Sequence, residues 1–189
     1  MDTVQEELVK VVNGVDIRKL QATIEAINDD PDLASFRFHA VNEWIDGAQN
    51  KTIVDRLKGG PHDIEHREPF VLRSDAPEVL MGHDTAPSSF ISVLHALASC
   101  LSVSIIYHAA VREIPIDKLI IRMEGDVDLH GFLGLSSEVR PGFQDVRVTV
   151  EVESQAPRSD IEDLLQYAQK VSPVVDSLRN RIPVEIALR

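Results

Sequence analysis

Three features of the 189-residue sequence predict an α+β fold. Val146, Val148, Val150 and Val152 alternate with Asp145, Arg147, Thr149 and Glu151, the period of two that keeps one face of a strand wet and the other dry. Over residues 87–112, Phe90, Val93, Leu94, Leu97, Leu101, Ile105 and Ala109 recur at helical spacing. Amphipathic stretches toward both ends of the chain begin with residues that cap helices. Strands, a long helix, more strands, a helix and a last strand, in that order, make an α+β arrangement.

The first segment reads as two short helices. Thr3 and Glu6 have the spacing of a capping box and are followed by Leu8, Val11 and Val12 on one face, until Asn13-Gly14 breaks the pattern. Asp16 is placed to cap a second helix whose Ile17, Leu20, Ile24 and Ile27 form one stripe, ending at Asp29-Asp30-Pro31. Such a stripe must be buried against the main body or a partner subunit. Strand character starts at Phe36, with Phe36, Phe38, Ala40 and Trp44 mostly on one face, a turn at Asp46-Gly47 and a return strand through Thr52-Ile53-Val54. Residues 58–68, KGGPHDIEHRE, read as a polar loop, and PFVLR (69–73) as another strand.

The long helix is expected to begin near Pro87, a residue suited to a first helical position. Apolar residues on almost every side of it imply burial all round. Beyond Ile114-Pro115, Leu119, Ile121 and Met123 alternate along one strand and Val146–Val152 along the next. The connection GFLGLSSEVRPGF (131–143) is apolar enough to be expected to cover something. Ser159 and Glu162 make a second capping box ahead of Ile161, Leu164, Leu165, Ala168 and Val171. Ser172-Pro173 has the form of an N-cap followed by proline, opening a further short helix, and PVEIAL (183–188) supplies the last strand.

With 19 Lys and Arg against 31 Asp and Glu, the formal net charge is −12 and no basic stripe is present. That balance argues against nucleic acid or an anionic membrane as a main partner, since both reward clustered cations. No apolar run is expected to reach the roughly 20 residues that span a bilayer. The acidic start MDTVQEELVK lacks the pattern of a signal peptide, so a cytoplasmic location is expected. A single cysteine, Cys100, excludes an intramolecular disulfide and any cysteine-pair redox motif.

Several blocks together carry a family resemblance: FRFHAVNEWIDG, EVLMGHDTAPSSF, VLHALASCLSVSIIYHAA, EGDVDLHGFLGLSSEVRPGFQDVRV and SPVVDSL. Over about residues 33–188 the chain resembles the OsmC/Ohr family of bacterial stress proteins, many of which reduce organic hydroperoxides with a pair of cysteines. The resemblance implies an N-terminal helical extension (1–32), as in a longer subgroup, and an OsmC-like domain (33–189). It also implies an intertwined homodimer in which antiparallel sheets wrap a central buried cysteine-bearing helix, with active sites at the interface.

Carried over by position, Cys100 in ALASC stands where the family has its peroxidatic cysteine. Peroxide attack needs a thiolate, so a cationic or hydrogen-bonding neighbour would have to activate it. Read from the residues alone, Cys100 is also a small core residue. Ser172 stands in SPV where the family has its resolving cysteine, and a hydroxyl forms no disulfide with a sulfenic acid. The usual two-cysteine cycle is therefore absent, and Ser172 also suits a helix N-cap. The family's glutamate has no counterpart in Pro87-Ser88-Ser89-Phe90-Ile91, and near the position of its arginine only Lys51 is cationic. His95 lies about 500° of helical rotation from Cys100, and His108 about 12 Å along the axis, so neither is a direct base from this helix. His62 and His66 are four apart, but their surroundings favour a loop and no third metal ligand is evident. Glu124, Asp126 and Asp128 form an acidic patch, read as solvated charge with a cation site as the alternative.

No cofactor is expected. Two functions follow from this reading. One is a single-cysteine thiol activity toward organic hydroperoxides, completed by an external thiol reductant. The other is a non-catalytic homodimer that binds a small apolar organic ligand at the subunit interface.

Overall fold

The computed structural model describes residues 10–188. Its elements are β1 (Val11–Val12), β2 (Val15–Asp16), α1 (Ile17–Asp29), β3 (Phe36–Phe38), β4 (Val41–Asp46), β5 (Gln49–Gly59), β6 (His62–Ser74), α2 (Ser89–Val111), β7 (Lys118–Val127), α3 (Leu129–Phe132), β8 (Phe143–Glu153), α4 (Arg158–Val171) and α5 (Pro173–Arg179). The β3–β5, β4–β5, β5–β6 and β7–β8 pairs are antiparallel, and the fold is α+β. The chain forms two compact units, one centred on Asp16–Val93 and the other on Val11–Val15 with the residues from Leu94 onward.

In the first unit β3, β5 and β4 form a path with β6 added on β5. The segment 58–68, expected to be a polar loop, is instead the closed end of a long hairpin, with Lys58 opposite Asp63 and Gly59 opposite His62. The ladder is made by backbone groups, which polar side chains leave free to pair. Gly60 turns the chain at a φ of 57°, a conformation that favours glycine. Asp16 caps α1 as expected, accepting hydrogen bonds from the amides of Arg18 and Lys19. Along the stripe of α1, Ile17 is buried but Ile24 is exposed, so the chain itself covers only the start of that face. Val11 and Val12, expected on a helix, lie in a strand, because Asn13 (φ 53°) and Gly14 (φ 78°) form a tight turn that pairs them with Val15 and Asp16. Thr3, Glu6 and Leu8 lie outside the described residues.

The second unit holds most of the core. Ile105, Ala109, Ile114, Leu164 and Ala168 pack together, bordered by Leu119, Ile121 and Val150 of the β7–β8 pair. A second cluster joins Leu97 and Leu101 of α2 to Val175 of α5, bordered by Ile121, Met123 and Val146. The alternation read from the sequence is the register observed: Leu119 opposite Val152, Ile121 opposite Val150 and Met123 opposite Val148. The Asn13 side chain, in the same unit, donates to the Ile114 carbonyl at 2.9 Å and accepts from the Ile116 amide at 2.8 Å.

Further expectations are corrected. The helix α2 begins at Ser89, near Pro87 as expected, but its 23 residues are long and apolar enough to cross a membrane by length and composition. It is nonetheless packed as a core helix along one face, Leu97, Leu101, Ile105 and Ala109, while Ile91, Val103, Tyr107 and Val111 on other faces are exposed. The box at Ser159 and Glu162 does not form, because Pro157 stands at the N-cap and α4 begins at Arg158, which pairs with Glu162 at 2.7 Å. Leu133 and Leu135 of the apolar connection are exposed within the chain. Residues 181–188 carry no strand, and Val184, Ile186 and Leu188 alternate along them with Ile186 94% exposed.

Candidate functional site

Cys100 lies half-buried on α2, next to Leu101 and one turn beyond Leu97. Those two leucines pack on Val175, which lies in the first turn of α5. That contact carries the residue before α5 onto the cysteine. Ser172, 72 positions later in the chain, has its Oγ 3.2 Å from Cys100 Sγ and is 0% exposed. The structure thus joins the two site residues named from the sequence.

The serine has a second task, as its sequence suggested. It is the N-cap of α5, with Pro173 following, and its Oγ accepts a hydrogen bond from the Val175 amide at 3.5 Å. Either group can donate in the contact with Cys100: the Ser172 hydroxyl to Sγ, or the thiol to the second lone pair of Ser172 Oγ. A hydroxyl that donates to a sulfur favours the charged form of that sulfur. Ser172 offers no second sulfur, so an oxidised Cys100 has no disulfide partner within the chain.

The other named residues are placed elsewhere. Lys51, on β5 in the first unit, pairs with Glu43 at 2.8 Å across the ladder. His95 is exposed on α2, whereas His108 packs edge-on against Tyr167, with ring centres 4.8 Å apart. Burial, with the Arg112 charge behind it, lowers the His108 pKa from the ordinary histidine value. His62 and His66 lie on β6 rather than in a loop. Four residues along a strand put them about 13 Å apart, too far for one metal ion. His66 instead rests on Phe70, ring centres 4.7 Å apart. The acidic patch is partly offset from within: Arg147 pairs with Glu124, Asp126 and Asp145. The Asp126 carboxyl is held below its usual range by its hydrogen bond from Arg147. Asp128 caps α3, and the amide and ring of His130 lower its carboxyl in the same way. Among the described residues no group of three or more His, Cys, Asp or Glu side chains is placed to hold a metal ion.

Sequence reading missed one buried polar group. Asp75, 3% exposed, follows β6 and gathers the next loop around its carboxylate. It accepts from Thr85 Oγ1 at 2.7 Å and from the amides of Ala76 at 2.8 Å, Thr85 at 3.1 Å and His83 at 3.3 Å. The Gln49 side chain donates at 3.4 Å. The Thr85 hydroxyl and then the amides hold the Asp75 carboxyl well below the usual carboxylate range. With its oxygens so engaged, Asp75 fixes the loop that leads into α2 and is no proton-transfer group.

The family profile described as OsmC-like protein matches residues 82–187, more than half of the chain. Among solved structures, the chain is similar to an OsmC-like protein from Mycoplasma pneumoniae, with a TM-score of 0.58 and 13% identity, covering 76% of this chain and 87% of that one. It is also similar to an OsmC-like protein of unknown function from Vibrio cholerae, with a TM-score of 0.56 and 12% identity, covering 75% and 92%. No curated protein matches it. At such identities the structural likeness shows the fold, and the profile match carries the membership. The chain belongs to the OsmC-like protein family.

Proposed function

We propose that the protein is an OsmC-like thiol protein in which Cys100 is oxidised by an organic hydroperoxide and restored by an external thiol. The observation that carries this reading is the 3.2 Å contact between Cys100 Sγ and the buried Ser172 hydroxyl. As donor in that contact the hydroxyl would stabilise negative charge on the sulfur, and no second cysteine is available to resolve the product. The Cys100 thiolate attacks the outer peroxide oxygen, the O–O bond breaks, and sulfenic acid and an alcohol form once the alkoxide takes up a proton. One external thiol then displaces the hydroxyl group as water, giving a mixed disulfide. A second releases Cys100 as a thiol and leaves as a disulfide with the first.

Steady-state consumption of cumene hydroperoxide tests this cycle. With dithiothreitol present, turnover is expected; without it, one peroxide is consumed per chain. Cys100→Ser should consume none. Consumption by Cys100→Ser equal to that of the native chain would refute the assignment.

A homodimer belongs to this proposal, because Val103, Tyr107 and Val111 of α2 and the alternating Val184, Ile186 and Leu188 are left exposed by the single chain. The same uncovered surface favours a second reading, a dimer that binds a small apolar organic ligand at its interface without catalysis. A rise in melting temperature with apolar ligands, together with an inert Cys100, would select that reading.

A further inference from the structure

At the closed end of the β5–β6 hairpin, a cleft of about 330 Å³ is lined by Asp32, Ser35, Arg37, Lys58, Gly60 and Pro61. Arg37 and Lys58 are directly opposite each other in the β3–β5 ladder. Like charges in that relation destabilise a sheet. Among the described residues neither side chain makes an ion pair: Asp63 stands opposite Lys58 on β6 without bridging to it, and Asp32 lines the same cleft without bridging to either cation. The floor is fixed. The Gly60 amide donates to the Ser35 carbonyl at 2.7 Å, and the turn approaches the Asp32–Leu33 backbone so closely that a Cβ on Gly60 would lie 3.2 Å from Leu33 Cα. Ser35 Oγ makes no hydrogen bond among the described residues and is left as a donor.

We infer that this cleft binds a small organic anion through a phosphate or carboxylate group held between Arg37 and Lys58, with the Ser35 hydroxyl as a further donor. The volume is in the range of small-molecule sites. An arginine fork and a lysine ammonium suit either oxyanion. In a chain of net charge −12 a cationic pair that makes no ion pair among the described residues is a local exception, and an anion seated between the two offsets their repulsion. Asp32 limits the charge the cleft accepts and favours a small ligand over a polyanion.

Amide NMR titration of the full chain with sodium phosphate and, separately, sodium succinate tests this, with sodium chloride at matched ionic strength as reference. Saturable shifts confined to residues 32–37 and 58–61 are expected from at least one of the two, and the one that saturates identifies the head group. Arg37→Gln and Lys58→Gln, both at exposed positions, should each weaken that binding at least tenfold while leaving the remaining amide spectrum in place. Linear shifts with both anions, shifts reproduced by chloride, or unchanged binding in both variants would overturn the inference. The outcome is independent of Cys100 chemistry.

Discussion

At the scale of single residues, Ser172 decides what Cys100 can do. Its hydroxyl lies 3.2 Å from the sulfur, at the position where the family resemblance implies a resolving thiol. Ser172→Ala removes both that contact and the α5 cap. Loss of the cap costs about 1 kcal/mol, and alkylation of Cys100 by iodoacetamide at pH 7 is expected to slow about tenfold, the worth of a hydrogen bond to a charged group. An unchanged alkylation rate in the folded variant would show that the hydroxyl does not act on the thiol. Ser172→Cys makes the converse prediction: peroxide should drive formation of an intramolecular disulfide between Cys100 and the introduced thiol, visible as a loss of two hydrogens from the mass of the intact chain. Asp75 gives a pH dependence. Its folded carboxyl titrates below the unfolded one, so its stabilisation is complete above about pH 4 and is lost as pH falls toward the folded value. Asp75→Asn should lower the melting temperature by about 5 °C at pH 7, and this gap should narrow between about pH 4 and about pH 2.5. A gap that stays constant over that range would remove the carboxylate from the account.

At the scale of elements, the parts legible in the sequence are those where one chain satisfies its own physics. Asp16 and Ser172 were readable as caps because their partners lie two or three residues ahead. Val146–Val152 were readable because one face of β8 is packed and the other carries charge. The polar end of the β5–β6 hairpin was not readable, since backbone pairing holds it without an apolar pattern. The box at Ser159 had the right spacing but lost to Pro157, whose fixed geometry starts α4 one residue earlier than Ser159. The pairing of Cys100 with Ser172 was legible only through family resemblance, and Asp75 not at all, because its donors at 49, 76, 83 and 85 follow no periodic rule. Leu164, wholly buried between α2 and the β7–β8 pair, carries the packing of α4. Leu164→Ala is expected to cost about 2–5 kcal/mol, read by urea unfolding, and a cost below about 1 kcal/mol would mean that α4 contributes little to this core.

At the scale of the molecule, the apolar surface that the single chain leaves uncovered supports the proposed dimer. The second unit has a core, but α2 shows Val103, Tyr107 and Val111 to solvent, and in the first unit Phe36, Phe38, Trp44 and Leu72 are exposed on the strands. Surface of this kind marks an interaction site, and sedimentation of the purified protein is expected to give twice the 21.0 kDa chain mass. A monomer at micromolar concentration would contradict the dimer. The central claim, that the family scaffold still presents one activated thiol, is tested most directly by trapping its first product. Reduced protein treated with cumene hydroperoxide in the presence of dimedone should gain one adduct per chain, mapped to Cys100 by mass spectrometry, rapidly and to saturation. No adduct at Cys100 in protein that remains folded would contradict the claim and leave ligand binding as the function of the fold.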